Sequence, residues 1–137
     1  MLVRTTTAAL MLALGALSGC GGDGDGDVQA FCASFDELSR EGADALTVEQ
    51  GLDVVDELAS TAPDGVRADA ATAQEGLHTI TEAVEDAGFT LDDIDDPSQL
   101  SEAEQARMQA ATEDSGVDQG ELAQAFADLE TWSADNC

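Results

Sequence analysis

No lysine occurs in this 137-residue chain, and four arginines and one histidine stand against thirty aspartates and glutamates, a formal net charge of −26. That imbalance excludes nucleic acid as a direct partner, because affinity for a phosphate backbone comes from cations that are missing here. Anionic lipid head groups are repelled for the same reason. Nitrogen and sulfur ligands are equally scarce: His78 is the single histidine, and there are three cysteines, too few for a zinc site once the roles argued below are filled. Nucleophilic catalysis has no local signature, neither a Gly-x-Ser-x-Gly elbow nor Ser-x-x-Lys, and no glycine loop is spaced to cradle phosphate. Paired carboxylates are uninformative, since with thirty acids nearly any fold sets two side by side. No catalytic residue, cofactor or metal site is assigned, and the chain reads as a non-enzyme.

What is present begins with a leader. Arg4 supplies one N-terminal cation, Ala8 to Leu17 form an apolar run, and small Ser18 and Gly19 follow. This is a secretory signal layout over residues 1–19. A permanent membrane span needs ~20 apolar residues, and this run is too short. From Gly21 to Asp27 the chain reads GGDGDGD, which buries nothing and forms a hydrated tether. Its Asp23-x-Asp25-x-Asp27 spacing opens like a calcium loop, but Val28 and Ser34 stand where the turn glycine and the bidentate glutamate are required.

Leu17-Ser18-Gly19-Cys20 resembles the lipobox of bacterial lipoproteins at all four positions. The resemblance covers the leader alone. It implies cleavage between Gly19 and Cys20, a diacylglycerol on the Cys20 sulfur, palmitate-type acyl chains, and a chain held at the extracytoplasmic face of the cell membrane. Each buried methylene adds ~0.8 kcal/mol, so two or more acyl chains anchor where one does not. The remainder, residues 28–137, loosely resembles the small, uncharacterised, alanine-rich lipoproteins of actinobacterial envelopes, with one cysteine early in the first helix and another near the C-terminus. Halophilic archaeal lipoproteins share the acidity, but the single Arg4 departs from the twin-arginine leader expected there.

With Cys20 lipidated, Cys32 and Cys137 are left as an even pair in an export compartment that permits disulfides, and they are expected to bond. Dispersed acidity reads first as a solvated surface, and second as a surface that recruits cations or a basic partner.

Apolar residues after the tether recur at helical spacing. Val28, Phe31, Cys32, Phe35 and Leu38 predict a helix over 28–40 with Asp27 as N-cap. Thr47 and Gln50 form a capping box ahead of Val48, Leu52, Val55, Ala59 and Ala62, predicting 48–61, which Pro63-Asp64-Gly65 ends in a tight turn. The longest stripe is Val66, Ala70, Ala73, Leu77, Ile80, Val84 and Ala87; it predicts the central packing helix, closed by Gly88 with Phe89 folding back on Val84. Ser101 and Glu104 open a fourth helix to about Asp114, poor in large apolar residues beyond Met108. Gly116 ends it, and Val117, Asp118, Glu121 and Leu122 are read as staple, N-cap and capping box of a last helix through Ala125, Phe126, Leu129 and Trp132.

The expected fold is therefore all-α, a small antiparallel bundle of four to five helices with an N- to C-terminal disulfide. His78 is expected on the polar flank of the third helix near Glu75 and Glu82, and Trp132 on a core stripe. The functional expectation is a lipid-anchored module with a non-enzymatic binding or scaffolding role toward an envelope protein. Its alternative is divalent-cation binding or buffering through the acidic surface and the connection carrying Asp92, Asp93, Asp95 and Asp96.

Overall fold

The computed structural model describes residues 26–41 and 46–137; the leader, Cys20 and most of the tether lie outside the described residues. Six α-helices and no strand occur among them: α1 (Val28–Glu41), α2 (Val48–Thr61), α3 (Arg67–Asp86), α4 (Leu91–Asp95), α5 (Glu102–Asp114) and α6 (Gln119–Asn136). Five are the expected long helices. The sixth, α4, is a correction: the stretch 89–100 is a helical turn followed by a 3-10 turn at Pro97–Gln99, not an irregular connection. Thr90 and Asp93 make a reciprocal capping box, hidden among aspartates that invite a loop reading.

Helix boundaries follow local chemistry. The boxes Thr47/Gln50 and Ser101/Glu104 both form. Asp27 accepts from the Ala30 N–H. Gly88 adopts φ +94°, and the Phe89 and Gly88 N–H groups reach the Val84 and Glu85 carbonyls, the two bonds of a Schellman ending. At α6 the expected box is half made: Asp118 accepts from the Gly120 and Glu121 N–H groups, and no return bond from the Glu121 side chain accompanies it.

α1 packs on α2, α2 on α3, and α3 on both α6 and α5. The core is a cluster of Phe31, Val54, Val55, Leu58, Ala62, Val66, Ala70, Ala73, Leu122 and Leu129. Phe31 is 0% exposed and meets Trp132 edge-on, ring centroids 5.2 Å apart. Cys32 and Cys137 are bonded, Cα atoms 5.6 Å apart, tying α1 to the end of α6 across a separation of 105 residues. Gly76, midway along α3, receives Leu122 so closely that a Cβ there would sit 2.9 Å from its Cδ1. α5 buries no residue and lies on α3 alone among its stronger contacts. Arg107 holds it, donating to the Ala87 carbonyl at 2.8 Å with its guanidinium over the Phe89 ring.

Two stability outcomes follow. Cys137→Ser is expected to lower unfolding free energy by about 3–5 kcal/mol, seen as a lower urea midpoint that reductant no longer shifts. Phe31→Ala is expected to cost about 3–5 kcal/mol, whereas Met108→Ala, half-buried on the largely exposed α5, is expected to cost under about 1 kcal/mol by the same measurement.

Candidate functional site

The third-helix stripe was expected to be core throughout, yet the structure covers it unevenly. Val66, Ala70, Ala73 and Val84 are buried, while Leu77 and Ile80 are half-buried. The reason is where α6 begins. Its first turn meets α3 at Gly76, and Trp132, toward the other end of α6, stands beside Gly65. Beyond Gly76, α3 keeps α2 and α5 as neighbours, and α4, seated on α2, shares a cleft with it.

That change of neighbours leaves a cleft of 440 Å³ walled by half-buried Leu38, Val48, Leu52, Leu77 and Ile94, with Asp95 at its edge. Each wall is set by its own helix. Leu38 comes from the third turn of α1, Val48 and Leu52 from the start of α2, and Leu77 from α3. Ile94 is delivered by α4, which is latched to α2 where the Asp95 carboxylate accepts from the Val48 N–H at 2.7 Å. Gly51 lines the same wall of α2.

A second constellation lies on the α2–α3 seam. His78 Nε2 approaches Asp56 Oδ1 at 2.7 Å, and Gln74 donates to the same oxygen at 2.9 Å. Both acid and imidazole are a little under half exposed. His78 was expected beside Glu75 and Glu82 of its own helix; its actual partner is 22 residues away on α2, invisible to spacing within one helix. The Gln74 hydrogen bond, then His78, holds the Asp56 carboxyl below its ordinary 3.8. None of these three residues lines the cleft.

Three of the four aspartates of the acidic stretch are engaged in the fold. Asp93 accepts from the Thr90 N–H and hydroxyl, Asp95 from Val48, and Asp96 from the Ser98 hydroxyl and the Gln99 amide. Among the described residues, no group of three His, Cys, Asp or Glu converges as a metal site would. Of the expected site residues, Cys20 lies outside the described residues, and Cys32 and Cys137 are joined. The cleft itself was missed. Its only sequence signal was a glycine inside an amphipathic helix.

Because the folded state favours the Asp56 carboxylate, its contribution to stability is present above the unfolded value of 3.8 and is lost as pH falls through the lower folded value. Urea midpoints measured from neutral pH downward are expected to fall more steeply below 3.8 in the wild type than in Asp56→Asn. A parallel decline in the two proteins would refute the assignment.

Set against family models, curated proteins and solved structures, the chain matches none.

Proposed function

We propose that this protein is an exported module anchored by lipid on Cys20 at the extracytoplasmic face of the cell membrane, with a non-enzymatic binding or scaffolding role. The anchor rests on Leu17-Ser18-Gly19-Cys20 closing a short apolar leader. The role rests on the polarity of the bundle. Gly26 and Asp27, where the tether becomes the domain, lie against the C-terminal end of α2: the Asp27 N–H donates to the Thr61 carbonyl at 3.0 Å. The cleft stands at the other end of α2, beside Val48. Fourteen residues of helix separate them, about 20 Å. A bundle joined to its tether at one end of α2 thus carries this leucine-lined recess at the opposite end, as a module that meets partners would.

Gly26 fits this role through close approach. It adopts φ +39°, and a Cβ there would stand 2.5 Å from the Ala62 carbonyl oxygen. Only glycine lets the tether join the helix end so tightly.

Intact mass of the protein from the membrane fraction tests the anchor. A chain beginning at Cys20 and carrying acyl mass is expected, with both the acyl mass and membrane association lost in Cys20→Ser. An unmodified mass would overturn it.

A further inference from the structure

We propose that the cleft around Gly51 receives an apolar side chain presented by a cationic segment of a partner protein. This deepens the binding reading above and rests on it.

The first observation is Gly51 itself. A glycine inside a helix destabilises it relative to alanine, so a fold keeps one where backbone or packing demands it. The other described glycines meet that demand. Gly26, Gly88 and Gly116 have positive φ, and a Cβ at Gly65, Gly76 or Gly120 would meet Trp132, Leu122 or Asp118 at 3.0, 2.9 and 3.1 Å. Gly51 has neither reason. It lies within α2 with helical backbone, and a Cβ added there would meet nothing within 4 Å among the described residues. The space it leaves open is the cleft, so the missing side chain serves an occupant and not the bundle.

The second observation is chemical. Leucine, isoleucine and valine make up most of the walls beside Thr47 and Thr81, which favours an apolar occupant. The one charged residue among the described lining is Asp95. One turn on from Thr81, which also lines the cleft, α3 carries exposed Glu85, and α4 carries exposed Asp92. Arg40, near the end of α1, is paired with Asp36. An apolar recess edged by Asp95, on a chain of net charge −26, favours a hydrophobic side chain flanked by lysine or arginine. A second copy of this chain is disfavoured, since each copy carries a net charge of −26. An anionic lipid meets the same repulsion.

The test uses the protein as its host makes it, carried in phosphatidylcholine nanodiscs, with empty nanodiscs as blank. The probe is a fluorescent amphipathic helical peptide of leucine and lysine, titrated by anisotropy at physiological salt. Its two controls replace leucine by serine or lysine by glutamate. The Leu/Lys peptide is expected to bind and both controls to fail. Gly51→Leu, which has room in the fold, is expected to weaken binding at least about tenfold while leaving the melting temperature unchanged or raised. Equal binding to Gly51→Leu, or by the Ser/Lys peptide, would assign the affinity to general acidity and overturn the proposal. Equal binding by the Leu/Glu peptide or by a fluorescent fatty acid would overturn the cationic partner. No binding by the Leu/Lys peptide would overturn the site altogether. The anchor is read separately by the mass of Cys20, so an anchored protein that fails here loses the cleft and keeps its tether.

Discussion

The seating of Leu122 on Gly76 sets the register of the whole bundle. Because no Cβ intervenes, the first turn of α6 settles directly on the middle of α3. From there α6 passes Trp132 beside Gly65, against Phe31, and ends with Cys137 bonded to Cys32. A bulkier residue at position 76 would push α6 off α3, and the displacement would reach both the aromatic contact and the disulfide. The same register leaves the remainder of α3 to α2 and to α5, which buries no residue, so Leu77 stays half-buried. The covered and the half-covered parts of α3 therefore share one cause.

Charge is arranged as economically as packing. The three arginines after Cys20 each serve the C-terminal end of a helix, where the macrodipole is negative. Arg40 lies in the last turn of α1, Arg67 reaches toward the Ala62 carbonyl that caps α2, and Arg107 donates to the Ala87 carbonyl that caps α3. The acids work at the opposite ends: Asp27 and Asp118 cap α1 and α6, while Glu49, Asp69 and Glu102 lie in the first turns of α2, α3 and α5. A strongly acidic chain thus gains from its acids wherever a helix begins. Where a helix ends it needs a cation, and it has one apiece for its first three. Arg67 also pairs with Asp64 at 2.7 Å, but both side chains are more than half exposed, so the pair adds little beyond its place at the helix end.

Signals confined to a few neighbouring residues were legible in the sequence, and signals that depend on two elements meeting were not. Thr47/Gln50, Ser101/Glu104 and the Gly88 ending all act within one turn, so spacing alone located them. Thr90/Asp93 is equally local, but the surrounding aspartates and Pro97 read as a loop and masked it. The Cys32–Cys137 bond followed from counting once Cys20 was read as the lipobox cysteine. Asp56 and His78 meet across two helices, and no periodicity within either one predicts the pair. Leu77 is the instructive case. Its stripe identifies which face of α3 is apolar, but whether that face is covered depends on how far α6 extends, which is a property of Gly76 and Leu122.

The disulfide gains its importance from the way α1 is held. Its main partner is α2, and it meets α6 through Phe31, Trp132 and the bond itself. Without closure the first helix would be attached along one side only, in a molecule whose core contains three alanines and whose surface charges repel one another. A core of this size leaves little surplus over conformational entropy. Linking positions 105 residues apart removes unfolded-state entropy without adding apolar surface. That matters because covering Leu38, Leu52, Leu77 and Ile94 would be the other route to stability, and it would fill the cleft. Closure by a covalent bond allows the bundle to be stable with this cleft left open among the described residues.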